Sequence, residues 1–191
     1  MNTWLYYTYG LGSYVETCHL DYIDLSTPAG YSQLDMYGYD DNGNIAYYYV
    51  HGGSDAGWWS SSTDIPVRMG GSEYHYDTAN QLVREDNEWL NKTFVWTYDD
   101  AGNITSRKEY TYIDDWKDVT GEPIATYIYT YGDDSWGDLL TAYNGIPRTY
   151  DQIGNLLTDG TWTYTWRNGR ELASMSNSST TWNYTYDANG M

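Results

Sequence analysis

The sequence predicts an all-β protein built as an array of antiparallel β-hairpins. Three observations support this fold class. A short phrase, Tyr-Asp-x-x-Gly-Asn followed by an aliphatic residue, recurs along the chain. The segments before it alternate aromatic with threonine or β-branched residues at period two, which is typical of half-buried strands. No segment carries apolar residues at helical spacing over three turns.

The phrase has three full copies, at 39–45, 98–104 and 150–156, and a degenerate copy at 76–82. Partial copies lie at 131–139, 166–172 and 186–191, and the last of these is truncated. The steps from 150 to 166 and from 166 to 186 indicate a unit of about twenty residues, enough for two strands and two turns. Repetition at this scale argues for an array of small units rather than a single catalytic site.

Each phrase is predicted to be a hairpin turn. Its Asp can accept hydrogen bonds from backbone N–H groups further along, and its Gly supplies the left-handed conformation that closes the turn with a bulge. We therefore expect positive φ at Gly43, Gly102 and Gly154, with Asn80 as a tolerated substitute. The predicted cross-strand pairs are Tyr39 with Ile45, Tyr76 with Leu82, Tyr98 with Ile104 and Tyr150 with Leu156. The structural turn residues are Tyr39, Asp40, Gly43, Asn44, Tyr76, Asp77, Tyr98, Asp99, Gly102, Asn103, Tyr150, Asp151, Gly154, Asn155, Tyr186, Asp187 and Gly190.

The predicted strands carry their aromatic residues on one face. Residues 126–131, 161–166 and 181–186 alternate aromatic side chains with mostly threonine, and the aromatic residue of each phrase lies on the aromatic face. Residues 1–38 lack the phrase but have the same strand-like residue pattern. We therefore interpret them as atypical strands that cap the array at 39–191. The glycine- and serine-rich stretch 52–71 is predicted to be an inserted loop.

Composition excludes several classes of function. The formal net charge of −18 disfavours binding to nucleic acid and to anionic membrane surfaces. No apolar run approaches the ~20 residues of a membrane span. The first ten residues lack the features of a signal peptide. The chain has 24 tyrosines and 10 tryptophans but a single phenylalanine. Tyr and Trp combine a large contact area with a polar tip, which suits sheets that are partly exposed to water.

The repeated phrase, at about twenty-residue intervals among Tyr- and Thr-rich strands, resembles the YD repeat of Rhs proteins. Related repeats occur in wall-associated proteins of Gram-positive bacteria, in the C components of insecticidal toxin complexes and in teneurins. The segment 139–175 resembles this family most closely, and the resemblance covers roughly residues 37–191. It implies hairpins that spiral into a hollow β-shell. In the polymorphic toxins of this family the shell encloses a C-terminal toxin or effector.

The resemblance also implies a location and partners. We expect a secreted or cell-surface protein whose partners are the rest of a parent polypeptide and an enclosed C-terminal toxin domain. None of the four prolines follows an Asp, as the closing motif of the family requires. We therefore interpret the chain as a fragment, an arc of a shell whose open edges invite pairing with further strands.

Catalytic and metal-binding readings are weaker. Adjacent carboxylates at 40–41, 99–100, 114–115 and 133–134 could serve glycoside hydrolysis or bind a metal. The first two pairs lie within the turn phrase, however, and their glycine falls at the fourth position, whereas a calcium loop needs it at the sixth. His19, His51 and His75 are scattered, and His75 is expected to be a solvated strand residue. We predict no enzyme activity, no cofactor and no metal.

A carbohydrate- or cell-wall-binding module is the alternative function. Exposed aromatic side chains can stack on the faces of sugar rings, and the candidates lie in the long loops: Trp58, Trp59, Trp116 and Trp136. Aromatic repeats that bind choline have a similar composition, but they lack the Asp-x-x-Gly-Asn turn.

Overall fold

A computed structural model describes residues 4–12, 15–26, 31–54, 67–132, 136–187 and 190. The described chain is all-β, as predicted, and its strands pair in chain order in two antiparallel sheets. The strands of the first sheet are β1 (Trp4–Gly12), β2 (Val15–Ser26), β3 (Tyr31–Tyr39), β4 (Ile45–Ser54), β5 (Val67–Tyr76), β6 (Leu82–Asn87), β7 (Lys92–Tyr98), β8 (Ile104–Thr111), β9 (Ala125–Tyr131), β10 (Leu140–Tyr143) and β11 (Ile146–Pro147). Those of the second sheet are β12 (Thr149–Tyr150), β13 (Leu156–Thr158), β14 (Thr163–Arg167), β15 (Glu171–Ser176) and β16 (Thr181–Asn183).

The chain divides into two compact units. The first unit comprises Met1–Trp96 and Lys108–Ala125, and the second comprises Thr97–Arg107 and Thr126–Met191. The division therefore passes through β7 and β8 rather than between the two sheets.

The interior of the first unit is largely polar. Phe94 and Leu34 are buried, but so are Asp86 and Thr93, whose exposed fractions are 1% and 0%. The Thr93 hydroxyl donates to Asp86 Oδ1 at 2.6 Å and accepts from the Ile113 backbone N–H at 2.9 Å. Hydrogen-bonded partners of this kind offset the cost of burying polar groups.

Two glycines of the first unit make room for tyrosine rings. Gly38 pairs with Tyr47 across β3 and β4, and Gly71 pairs with Tyr49 across β4 and β5. A Cβ at either glycine would lie within 2.2 Å of the tyrosine ring that covers it. The rings of Tyr47 and Tyr49 stack with centroids 4.9 Å apart. Glycine within these strands thus marks close approach by an aromatic side chain.

The second unit shows the predicted alternation. In β9 and β14 the aromatic residues are half-buried and the threonines between them are exposed. Hydroxyl groups pair across strands on the other face, as between Thr165 and Ser174 at 2.7 Å. Such cross-strand pairs contribute a few tenths of a kcal/mol each, up to about 1 kcal/mol.

The structure changes the bounds of the predicted loop. β4 continues to Ser54 and β5 begins at Val67, so both ends of the predicted loop at 52–71 are strand, and 55–66 lies outside the described residues. Residues 4–26 belong to the first sheet, where Tyr9 pairs with Leu20 at a register shift. The same kind of pair joins the ends of the repeated phrase.

Candidate functional site

The repeated phrase folds as a bulged hairpin turn. Gly43, Gly102 and Gly154 have φ of 86°, 89° and 84°, and Asn80 has φ of 60°, which confirms the predicted left-handed positions. In the full copies the N–H of the glycine donates to the backbone carbonyl of the Asp at 3.0 to 3.1 Å. The pairs Tyr39 with Ile45, Tyr76 with Leu82 and Tyr150 with Leu156 are confirmed, each beside a register shift.

The Asp of the phrase closes the turn through its side chain. Oδ1 of Asp99 accepts from the backbone N–H groups of Ala101 and Asn103 at 3.0 and 2.9 Å. Oδ2 accepts from the side-chain amide of Asn103 at 3.1 Å. The copies at 39–45 and 150–156 repeat all three bonds, and the degenerate copy repeats the two backbone bonds with Asp77.

These bonds stabilise the ionised carboxylates. The side chain of Asn44, together with backbone N–H groups, lowers the pKa of Asp40. The backbone N–H and side chain of Asn103 do the same for the pKa of Asp99. At Asp151, desolvation opposes the effect but the bonds from Asn155 still lower the pKa. Asp40, Asp99 and Asp151 are therefore acceptors held in their turns.

The Asn of the phrase also links one turn to the next. The same amide group that binds the Asp donates a second hydrogen bond, from Asn44 to Asn80 Oδ1 at 3.0 Å and from Asn155 to the Gly169 carbonyl at 2.6 Å. Asn103 makes the corresponding contact with Asp138 at 3.3 Å. Successive turns are thus joined side by side along one edge of the hairpins.

The aromatic residue of the phrase makes a second link between units. Its phenol or indole donates to a backbone carbonyl in the preceding hairpin, and that acceptor is the aliphatic residue which ends the preceding copy. The donor–acceptor pairs are Tyr39 with Leu20 (2.9 Å), Tyr76 with Ile45 (3.0 Å), Tyr150 with Leu140 (2.8 Å), Trp166 with Leu156 (2.7 Å) and Tyr186 with Leu172 (3.1 Å). We call this set of bonds the aromatic ladder.

The aromatic ladder identifies copies that the sequence leaves obscure. Leu140, the acceptor for Tyr150, pairs with Tyr131 across β9 and β10. The partial copy that we placed at 131–139 therefore ends one residue later, at Leu140. Tyr9 and Leu20 form the corresponding pair at the start of the chain. The truncated copy keeps its turn, because Gly190 has φ of 78° and donates to the Asp187 carbonyl at 3.1 Å.

The candidate glycan-contacting tryptophans differ in their surroundings. Trp116 is 78% exposed, with Lys117 Nζ 4.5 Å from the centre of its ring. Trp136 is half-exposed and packs on the turn at Gly154, where a Cβ would lie 2.7 Å from its ring. Both rings therefore already contact another part of the chain. Trp58 and Trp59 lie outside the described residues.

The described histidines have unlike environments, and one of them contradicts our expectation. His19 stacks on Tyr39 with ring centroids 4.4 Å apart. His75, which we expected to be solvated, is half-buried, and its Nε2 lies 3.5 Å from Asp86 Oδ2 and 3.1 Å from Asp115 Oδ1. The prediction of a solvated His75 is wrong because the two carboxylates come from β6 and from the segment after β8. No local sequence pattern relates these two segments to β5.

Charge accumulates around His75. Burial, followed by the neighbouring Asp115 carboxylate, raises the pKa of Glu73 to about 7. Contact with the Asp86 carboxylate raises the pKa of His75, although burial opposes this effect. His75, Asp86 and Asp115 place one nitrogen and two oxygen atoms within 4.8 Å of one another. We call these three residues the His75 cluster.

Comparison with known proteins adds no assignment. No protein-family model and no curated protein matches the chain. In the described residues, no helix has the length and apolar character that crossing a membrane would require.

Proposed function

We propose that the chain is a structural segment of a YD-repeat β-shell, of the kind that encloses or presents a C-terminal toxin or effector. The observation that carries the proposal is the aromatic ladder, because at five copies it couples a hairpin to the one before it through a residue of the repeated phrase itself. A phrase whose side chains join neighbouring units can be repeated to build a wall of any length.

The polar groups of the phrase support the same conclusion. The Asp accepts three hydrogen bonds within its own turn, and the Asn divides its amide between that Asp and the next turn. A carboxylate so engaged is poorly placed for general acid–base work, since its pKa is lowered rather than brought towards neutrality. The paired carboxylates of the turns therefore serve structure in this proposal.

The test is made on the native protein from its source. Antibodies against the chain would isolate it, and mass spectrometry would establish the polypeptide to which it belongs. We expect further hairpin repeats and a C-terminal segment that resists protease until the repeats are unfolded. A native protein with no protected segment would overturn the proposal.

Glycan-array binding tests the alternative, a carbohydrate-binding module. The shell proposal predicts no glycan signal that depends on Trp116 or Trp136. A signal lost in Trp116→Ala, with the fold intact by circular dichroism, would favour the carbohydrate-binding module. Trp182→Ala is the matched control, because Trp182 is also exposed, at 57%, but lies in strand β16 rather than in a long loop.

A further inference from the structure

We propose that the His75 cluster binds a divalent transition-metal ion of the zinc class. The cluster takes no part in the aromatic ladder or in the turn bonds, so its role is additional to the wall. It joins three parts of the first unit: His75 in β5, Asp86 in β6 and Asp115 in the segment that follows β8.

The distances suit a small ion with short bonds. His75 Nε2 lies 3.1 Å from Asp115 Oδ1 and 3.5 Å from Asp86 Oδ2. Zinc binds nitrogen and carboxylate oxygen at about 2.0 to 2.2 Å, so neighbouring ligands of a tetrahedral site lie about 3.3 to 3.5 Å apart. The two distances from His75 are thus already near the separation that a bound ion would impose, and all three ligand atoms lie within 4.8 Å of one another.

Two buried atoms of the cluster lie side by side. Among the described residues, His75 Nε2 and Asp86 Oδ2 are both buried, and their close partners are charged groups: Asp115 Oδ1 lies 3.1 Å from Nε2, and Arg84 Nε lies 2.9 Å from Oδ2. Asp86 is 1% exposed, and its Oδ1 is used by Thr93 and by Arg84. An ion between Oδ2 and Nε2 would give each of these buried atoms a direct bond.

Arg84 holds the third ligand in place. Its guanidinium donates to the carbonyls of Lys117 at 2.9 Å and Asp114 at 3.1 Å, which fixes the backbone on both sides of Asp115. Its Nε also lies 2.9 Å from Asp86 Oδ2, so one positive charge already stands beside the carboxylates. The Asp115 side chain is 47% exposed and provides the solvent-facing entrance to the site.

The donor set selects the class of ion. Imidazole nitrogen with carboxylate oxygen suits zinc and its neighbours, whereas calcium and magnesium prefer oxygen alone. The nearby charged groups are Glu73, Glu88 and Arg84, and Glu88 adds to the negative potential that attracts a cation. Glu73, which interacts with Asp115, or a water molecule would fill the fourth position.

Isothermal titration of the tag-free full chain with zinc chloride, after chelator treatment, tests the site. We expect one saturable zinc ion per chain, a higher melting temperature with zinc, and no comparable response to calcium chloride. His75→Gln and Asp115→Asn should each weaken zinc binding about tenfold or more, as the loss of groups at a metal site commonly does. His19→Gln and Asp114→Asn are the matched controls and should bind zinc like the parent chain.

Asp115→Asn is the decisive variant, because its half-exposed side chain can change without emptying the interior. Circular dichroism of each variant would establish that the fold is kept. The proposal is overturned if the parent chain takes up no saturable zinc, or if folded Asp115→Asn binds zinc as tightly as Asp114→Asn does. Neither result affects the shell proposal, which does not use these residues.

Discussion

The second sheet, β12–β16, and the region β5–β7 contain the same turn phrase but are stabilised differently. In the second sheet, Asn155 is the buried residue among those described, and threonines lie exposed between half-buried aromatic residues. In β5–β7, Ser72, Asp86, Thr93 and Phe94 are all buried and several of them are hydrogen-bonded to one another or to neighbours. The second sheet depends on its turns and the aromatic ladder, whereas β5–β7 adds a polar interior.

The difference shows where new chemistry can enter a repeat. The full copies commit their Asp and Asn to the turn and to the next unit. The copy at 76–82 has Asn80 in place of the glycine and Gln81 in place of the Asn, and it directly follows His75. The His75 cluster thus lies beside a copy that departs from the full phrase at two positions while still closing its turn.

The largest effect is expected from breaking a turn of the second unit. Gly102→Val places a β-branched residue at φ of 89°, so we expect a loss of about 1–3 kcal/mol in the free energy of unfolding through backbone strain. Chemical denaturation measures it. Gly137→Val is the control, since Gly137 has an ordinary φ and open space around its Cα. Equal losses in both variants would contradict the turn argument.

Removing one bond of the aromatic ladder should have a smaller effect. Tyr150→Phe deletes the half-buried hydrogen bond to the Leu140 carbonyl. We expect the free energy of unfolding to fall by about 0.5–1.5 kcal/mol. Tyr76→Phe should cost less, because the Ile45 carbonyl is exposed and water can replace the phenol. Tyr129→Phe, whose ring packs against Tyr143, is the control. A larger loss in the free energy of unfolding for Tyr129→Phe than for Tyr150→Phe, measured with denaturant, would be evidence against the ladder.

The smallest effect concerns the response to acid. Because the pKa of Asp99 is lowered, the contribution of its carboxylate to stability is complete above the ordinary Asp pKa near 4. That contribution is lost as pH falls through the folded-state pKa. The melting temperature of Asp99→Asn should therefore be lower than that of the parent chain at pH 7, and the difference between the two should narrow towards pH 3. Asp100→Asn, at the exposed neighbouring carboxylate, should follow the parent at each pH. A gap that stays constant with pH would refute this assignment.

The turns were predictable because their chemistry is local. An Asp, a Gly and an Asn within six residues specify the conformation, and the three full copies agree on it. The alternation of aromatic residues and threonines specified which face of β9 and β14 is half-buried. Both signals depend on neighbours in the sequence, which a single chain displays directly.

The contacts between units were not predictable in the same way. The sequence shows that an aromatic residue begins most copies, but it does not show why. The reason is the acceptor carbonyl, such as that of Ile45 for Tyr76, which only the fold brings beside the aromatic side chain. The same reason hid the His75 cluster, because Asp115 comes from a segment outside every repeat. Leu140 was missed as the end of a copy because an enlarged turn separates it from Tyr131.

The aromatic ladder has a direction. Each donor lies later in the chain than its acceptor, by 10 to 31 residues in the bonds described. During synthesis, a hairpin leaving the ribosome therefore meets an acceptor carbonyl that has already been made and paired. Contacts so close in sequence have a low entropic cost of closure. We expect such a chain to fold in the order of its translation, with each finished hairpin as the template on which the following one docks.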